Sequence, residues 1–269
     1  MPMPSPGPGE VLAKINAVSL NYRDTEGKVR RRGLKMESQR PGGVVSTFVP
    51  EHKTGQLNEA VLKTSLGLPE QGVLATHQVF REGPLVRAPE RMSHEEACTL
   101  PIASVTACMA ITGIQETKGV SVAGLLLGKA LGAQVISISS SNDKLARAKE
   151  LGANFGKYVM ETGGSQTLGK SFACAAYGGL INCNRYTSGK TQAAGEQQNV
   201  NVLAISRCLT LKGFLNGPIN RFEEMARSAE EKCIHPVVCK TFGFGEAKEA
   251  FKYMEAGSHF GKIVIKVGQ

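Results

Sequence analysis

The chain has 269 residues, of which 41% are hydrophobic and 20% charged, and it carries a formal net charge of +9. That length and balance suit one large globular domain or two moderate ones and exclude a disordered chain. The longest apolar runs, such as VAGLLL, fall far short of a membrane span, and the start MPMPSPGPGE has neither the charged nor the apolar region of a signal peptide. A cytoplasmic protein with no membrane partner is therefore expected.

The seven cysteines, at 98, 108, 174, 183, 208, 233 and 239, are scattered and never spaced as CxxC, which indicates neither a disulfide framework nor a zinc knuckle. The positive charge suits a phosphate-bearing ligand. A nucleic-acid partner would need a basic face with aromatics or a known motif, and neither is present, so none is expected.

Along the chain, EVLAKINAVSL (10–20) alternates apolar and polar residues as a half-buried strand does, and NYRD (21–24) follows it. Residues 25–43 hold a basic cluster with little apolar periodicity and a Pro-Gly-Gly stop, the pattern of an exposed loop. VVSTFVP, GVLATHQVF and GPLVRAP read as short strands separated by Gly and Pro. At Ser93 the pattern changes: SHEEACTLPIASVTACMAI opens with a Ser N-cap and a Glu three residues later, a capping box, before an apolar run broken by Pro101.

A helix is predicted from Gly119 to Gly132, then the strand QVISIS and the capped helix SNDKLARAKELG. There follow a strand (KYVMETGG), a helix (SQTLGKSFACAAYGG), a strand (GLINC), a helix (NVNVLAISRC), a strand (LTLKGFLNG) and a helix (NRFEEMARSAEEKC). The tail adds PVVCKTF, the helix GEAKEAFKYMEAG and the strand KIVIKV. Strands alternating with helices at this spacing imply an α/β protein with a parallel, doubly wound sheet. A nucleotide fold of this kind opens with a buried strand running into a glycine-rich turn, yet ITGIQET, just before Lys118, is not a buried strand.

PGPGEVLAKINAVSLNYRD, TLPIASVTACMAI, GVSVAGLLLGKALGAQVI, GGLINC and GSHFGKIVIKV stand in the order found in the medium-chain dehydrogenase/reductase superfamily. The chain most resembles the zinc-type alcohol dehydrogenase-like and quinone oxidoreductase-like branch. The resemblance implies a GroES-like β-rich catalytic domain made from both chain ends (1–105 and 236–269) around a Rossmann-like NADP-binding domain (106–235). It also implies a small-molecule substrate, relatives that dimerise through the sheet edge, and hydride transfer between NADPH and a carbonyl or activated double bond.

By the same resemblance, Asn21, Tyr22 and Asp24 line the nicotinamide and substrate pocket. Thr106 touches the nicotinamide end, Gly119, Val120 and Ser121 end the glycine turn, and Lys262 closes the cofactor cleft. Plainer readings stand beside these: Asn21 and Asp24 suit a turn, Thr106 a back-bonded helix position, and Lys262 an exposed strand-edge charge. The second Rossmann strand ends ISSSND, with three serines where an NAD site places an acidic residue for the ribose hydroxyls, and Ser140 and Lys144 there suit the 2′-phosphate of NADP.

The departures point to lost segments. Only the last glycine of the turn is present, and the first strand of the sheet is missing. Residues 25–43 stand where the family carries part of its β-domain, and Asn184 and Arg185 replace a small apolar residue and a glycine beside the cofactor. No metal is expected, because the zinc-dependent members use an early Cys and a Gly-His-Glu segment, neither of which occurs here. Two readings follow: an NADP-dependent oxidoreductase, or an inactive remnant serving as a binding or oligomerisation module.

Overall fold

The run expected as one strand is divided into β1 (Glu10–Lys14) and β2 (Ala17–Ser19). The division falls at Ile15 and Asn16. The Ile15 N–H donates to the Thr76 carbonyl at 2.8 Å, whereas the Asn16 carbonyl accepts from the N–H groups of Val267 and Gly268 at 2.7 and 3.2 Å. The chain thus changes partners in mid-run, which alternation along a sequence does not reveal. The structure, a computed structural model, describes residues 3–21, 24, 43–67, 70, 72–112, 158–186, 189, 191 and 199–268. The exposed loop expected over 25–43, apart from Gly43, the missing first strand, the glycine turn, the helix from Gly119, the QVISIS strand and the helix SNDKLARAKELG all lie outside the described residues.

Next come β3 (Val44–Ser46), α1 (Glu59–Leu62), β4 (His77–Arg81) and β5 (Leu85–Arg87), with β1 antiparallel to β4 and β3 antiparallel to β5. The capping box forms as the sequence predicts. Ser93 Oγ accepts from the Glu96 N–H at 3.2 Å and Glu96 Oε2 from the Ser93 N–H at 2.9 Å, starting α2 (His94–Ala97). The apolar run then passes through a π-helical turn, Leu100–Ser104, into α3 (Val105–Thr112). Pro101 lies in the first turn of that segment, where its missing N–H costs no hydrogen bond.

Beyond these lie β6 (Tyr158–Glu161), α4 (Leu168–Cys174), β7 (Leu180–Cys183), α5 (Val200–Ser206) and β8 (Thr210–Gly213), the strands forming a parallel sheet in the order β6-β7-β8. On one face Val159, Ile181 and Cys183 pack with Leu168, Phe172, Val200 and Leu203 of α4 and α5. On the other, Asn182 bonds to Ala110 of α3. Helices on both faces make the sheet doubly wound.

In α6 (Ile219–Glu231) the buried Phe222, Met225, Ala226 and Ala229 recur at helical spacing, so one stripe faces the core. β9 (Val238–Gly243), α7 (Ala247–Glu255) and β10 (Lys262–Lys266) close the chain. β10 lies between β2, antiparallel, and β9, parallel. Ile15, Val18, Phe80, Phe242, Met254, Ile263 and Ile265 form the core there.

Contacts divide the chain into one unit of Met1–Val105 with Gly217–Gln269 and another of Thr106–Asn216. By contacts α6 falls in the unit made from the chain ends, where the sequence reading ran the middle domain to residue 235. The Ile219 and Asn220 N–H groups at its start donate to the carbonyls of His52 and Lys53 at 2.8 and 3.3 Å. Among the described residues no helix is long and apolar enough to cross a membrane.

Candidate functional site

In the unit of the chain ends, β10 and β2 are neighbours, so Lys262 at the start of β10 lies beside the residues that follow β2. The Leu20 N–H donates to the Ile263 carbonyl at 2.9 Å. Lys262 Nζ donates to the Leu20 carbonyl at 2.7 Å and to Asn21 Oδ1 at 2.6 Å. Asn21 is fixed further by its amide on the Ser19 carbonyl at 3.2 Å and by its N–H on Asp24 Oδ2 at 2.7 Å, while the Asp24 N–H returns to the Asn21 carbonyl at 2.8 Å. Tertiary pairing thus brings Lys262 to Asn21 across most of the chain, and a local turn adds Asp24.

The glycine before the lysine is required. Gly261 has φ +105°, and a Cβ there would lie 2.5 Å from the Val237 carbonyl oxygen, which also accepts the Lys262 N–H at 2.8 Å. Only glycine allows that approach in that conformation.

In the other unit, the carboxyl ends of β6 and β7 carry an unusual set of polar groups. Glu161, the last residue of β6, is 3% exposed. Its Oε1 accepts from the Gly163 N–H at 2.6 Å, the Gly164 N–H at 2.8 Å and Thr167 Oγ1 at 2.6 Å, and its Oε2 accepts from Ser171 Oγ. One carboxylate therefore organises the turn from β6 into α4. The sequence reading missed it, although an acidic residue at a strand end before two glycines was the available signal. Burial and the charge of Glu161 push the neighbouring Cys183 thiol up to about 11, so it is held neutral.

Asn182, Asn184 and Asn216, on β7 or just beyond the ends of β7 and β8, each hold a buried Oδ1 with no partner among the described residues. Thr106 is buried as the second residue of α3, one turn before Ala110, whose carbonyl accepts Asn182 Nδ2 at 3.1 Å. Ligands of open parallel sheets bind at the carboxyl ends of the strands. Hydroxyl and amide donors of a dinucleotide suit these acceptors, so the residues present fit such a group.

Tyr22, Gly119, Val120, Ser121, Ser140 and Lys144 lie outside the described residues. Zinc fits less well. Among the described residues, no group of three or more His, Cys, Asp or Glu side chains is placed to hold a metal ion. The rings of His52, His94 and His235 are within hydrogen-bond distance of the Gly55 carbonyl, Asn16 Nδ2 and Glu96 Oε1, at 3.0, 3.2 and 2.9 Å.

The zinc-binding dehydrogenase family profile matches residues 131–265. A zinc-type alcohol dehydrogenase-like protein of Schizosaccharomyces pombe is 31% identical over 97% of this chain and 91% of its own length. That alignment runs over 317 positions against 269 residues here, so at least 48 positions of the relative have no counterpart in this chain. The NAD(P)H oxidoreductase RTN4IP1, mitochondrial, of Bos taurus is 25% identical over 91% of this chain and 69% of its own. A candidate alcohol dehydrogenase of Sinorhizobium meliloti 1021, known from a crystal structure, superposes with a TM-score of 0.84 at 26% identity over 99% of this chain and 93% of its own.

Proposed function

The chain belongs to the medium-chain dehydrogenase/reductase superfamily and is an oxidoreductase of it, and we propose that it transfers hydride between NADPH and a small carbonyl, alcohol, quinone or enoyl substrate. The observation that carries this reading is the link from Lys262, which the family resemblance assigns to the cofactor cleft, to the Leu20 carbonyl and to Asn21, which it assigns to the nicotinamide and substrate pocket.

When bound, the nicotinamide supplies or takes the hydride. The chain's own residues bind and orient it. Lys262 fixes the Leu20 carbonyl and the Asn21 side chain through charge-assisted hydrogen bonds, which hold geometry better than neutral ones. Asn21, Tyr22 and Asp24 face the reacting end, and Thr106 the nicotinamide. By the family resemblance, Gly119, Val120 and Ser121 would offer N–H groups to the pyrophosphate, and Ser140 and Lys144 would take the 2′-phosphate. No step is routed through zinc, because the described donor sets do not fit it and the sequence lacks the family's Cys and Gly-His-Glu ligands.

Support for the dinucleotide comes from the bovine relative, named as an NAD(P)H oxidoreductase, and for the 2′-phosphate from the serine-rich end of the second strand. Fluorescence titration tests it, with NADPH expected to bind about tenfold more tightly than NADH. Equal or tighter binding of NADH overturns the preference.

The positions of the relative without counterpart, at least 48, favour a second reading, an inactive chain that serves as a binding or oligomerisation module. Turnover of a quinone or aldehyde with NADPH decides between the two.

A further inference from the structure

We propose that Asn182 is a positioning residue for the nicotinamide end of the site, acting through α3. This rests on the dinucleotide reading above, in which only the Oδ1 of Asn182 figures, and assigns a role to its Nδ2 donor. Asn182 is 2% exposed and lies on β7, the middle one of the three parallel strands among the described residues. Its Nδ2 donates to the Ala110 carbonyl at 3.1 Å. Ala110 stands four residues after Thr106, so the two share one face of α3. Side chains alternate along a strand, and Ile181 and Cys183 face α4 and α5, which leaves Asn182 facing α3.

Packing does not explain this residue. Among the described residues its buried Oδ1 has no partner, a cost that an apolar side chain of the same shape would avoid. What asparagine provides and leucine does not is the donor that fixes α3, and with it Thr106, against the strand. The bond makes the level of Thr106 along the strand specific, whereas apolar contact alone lets a helix slide.

The test measures binding of NADPH and of adenosine 2′,5′-bisphosphate, which lacks the nicotinamide half, to wild-type protein, Asn182→Leu and Asn182→Ala. Both variants should bind NADPH about tenfold more weakly and adenosine 2′,5′-bisphosphate unchanged, and Asn182→Leu should melt no lower than wild type. Unchanged NADPH affinity overturns the proposal. Equal weakening of both ligands, or loss of folding in both variants, also overturns it, because Asn182 is then a determinant of the fold alone. Wild-type protein that binds neither ligand refutes the dinucleotide reading itself, and this inference falls with it.

Discussion

Replacing Gly261 by alanine isolates what holds Lys262 in place. Two costs are expected. The first is conformational: at φ +105° an alanine is strained by about 1–2 kcal/mol. The second is steric. The added Cβ would lie 2.5 Å from the Val237 carbonyl oxygen and 2.8 Å from Val237 Cγ1, and the first of these is backbone that cannot rotate away. Relief of the collision must move β10 from Val237, breaking the 2.8 Å bond from the Lys262 N–H and adding about 0.5–1.5 kcal/mol. Overpacking adds roughly 1–3 kcal/mol more.

Gly257 is the control. It has φ +65°, but a Cβ there would meet nothing nearer than the Glu255 carbonyl at 4.0 Å, so Gly257→Ala bears only the conformational cost. Gly261→Ala should therefore exceed Gly257→Ala by about 2–4 kcal/mol in urea unfolding. In thermal melts the gap should be roughly 5–15 °C. The displaced Lys262 should also weaken NADPH binding in Gly261→Ala alone. Equal destabilisation by the two substitutions would refute the argument that close approach, rather than backbone conformation, demands glycine at 261.

Three further outcomes are expected. Burial raises the Glu96 carboxyl, but hydrogen bonds from the Ser93 N–H and His235, with the charge of His235, lower it below its ordinary 4.5. Its contribution is present above pH 4.5 and lost as pH falls through the depressed value, so Glu96→Gln should cost about 0.5–1 kcal/mol at pH 7 and flatten the acid limb of a stability–pH curve. Glu161→Ala leaves two backbone N–H groups and two hydroxyls without their acceptor and should cost about 3–5 kcal/mol by urea unfolding, with Glu161→Gln losing less. With its thiol near 11, Cys183 is thiolate in roughly one molecule per thousand at pH 8, so iodoacetamide should label the exposed Cys174, Cys208 and Cys233 first, as peptide mass spectrometry can show.

The sequence by itself determined the local structure and the family. The Ser93–Glu96 box is legible because a cap is a contact between residues three apart. The stripe of Phe222, Met225, Ala226 and Ala229 is legible because helical period is a property of neighbours. The ordered family segments likewise brought Asn21, Asp24 and Lys262 into one expectation, but only as positions. Tertiary structure decided what separate segments do together. It cut the run 10–20 in two at Asn16, whose partners Val267 and Gly268 lie at the far end of the chain. It assigned α6 to the unit of the chain ends, since an amphipathic stripe states that it needs a core and not which one. It made Glu161 the acceptor for a whole turn and Asn182 the tie to α3. A buried polar residue is identified by the groups it meets, and those are chosen by packing rather than by spacing along the chain.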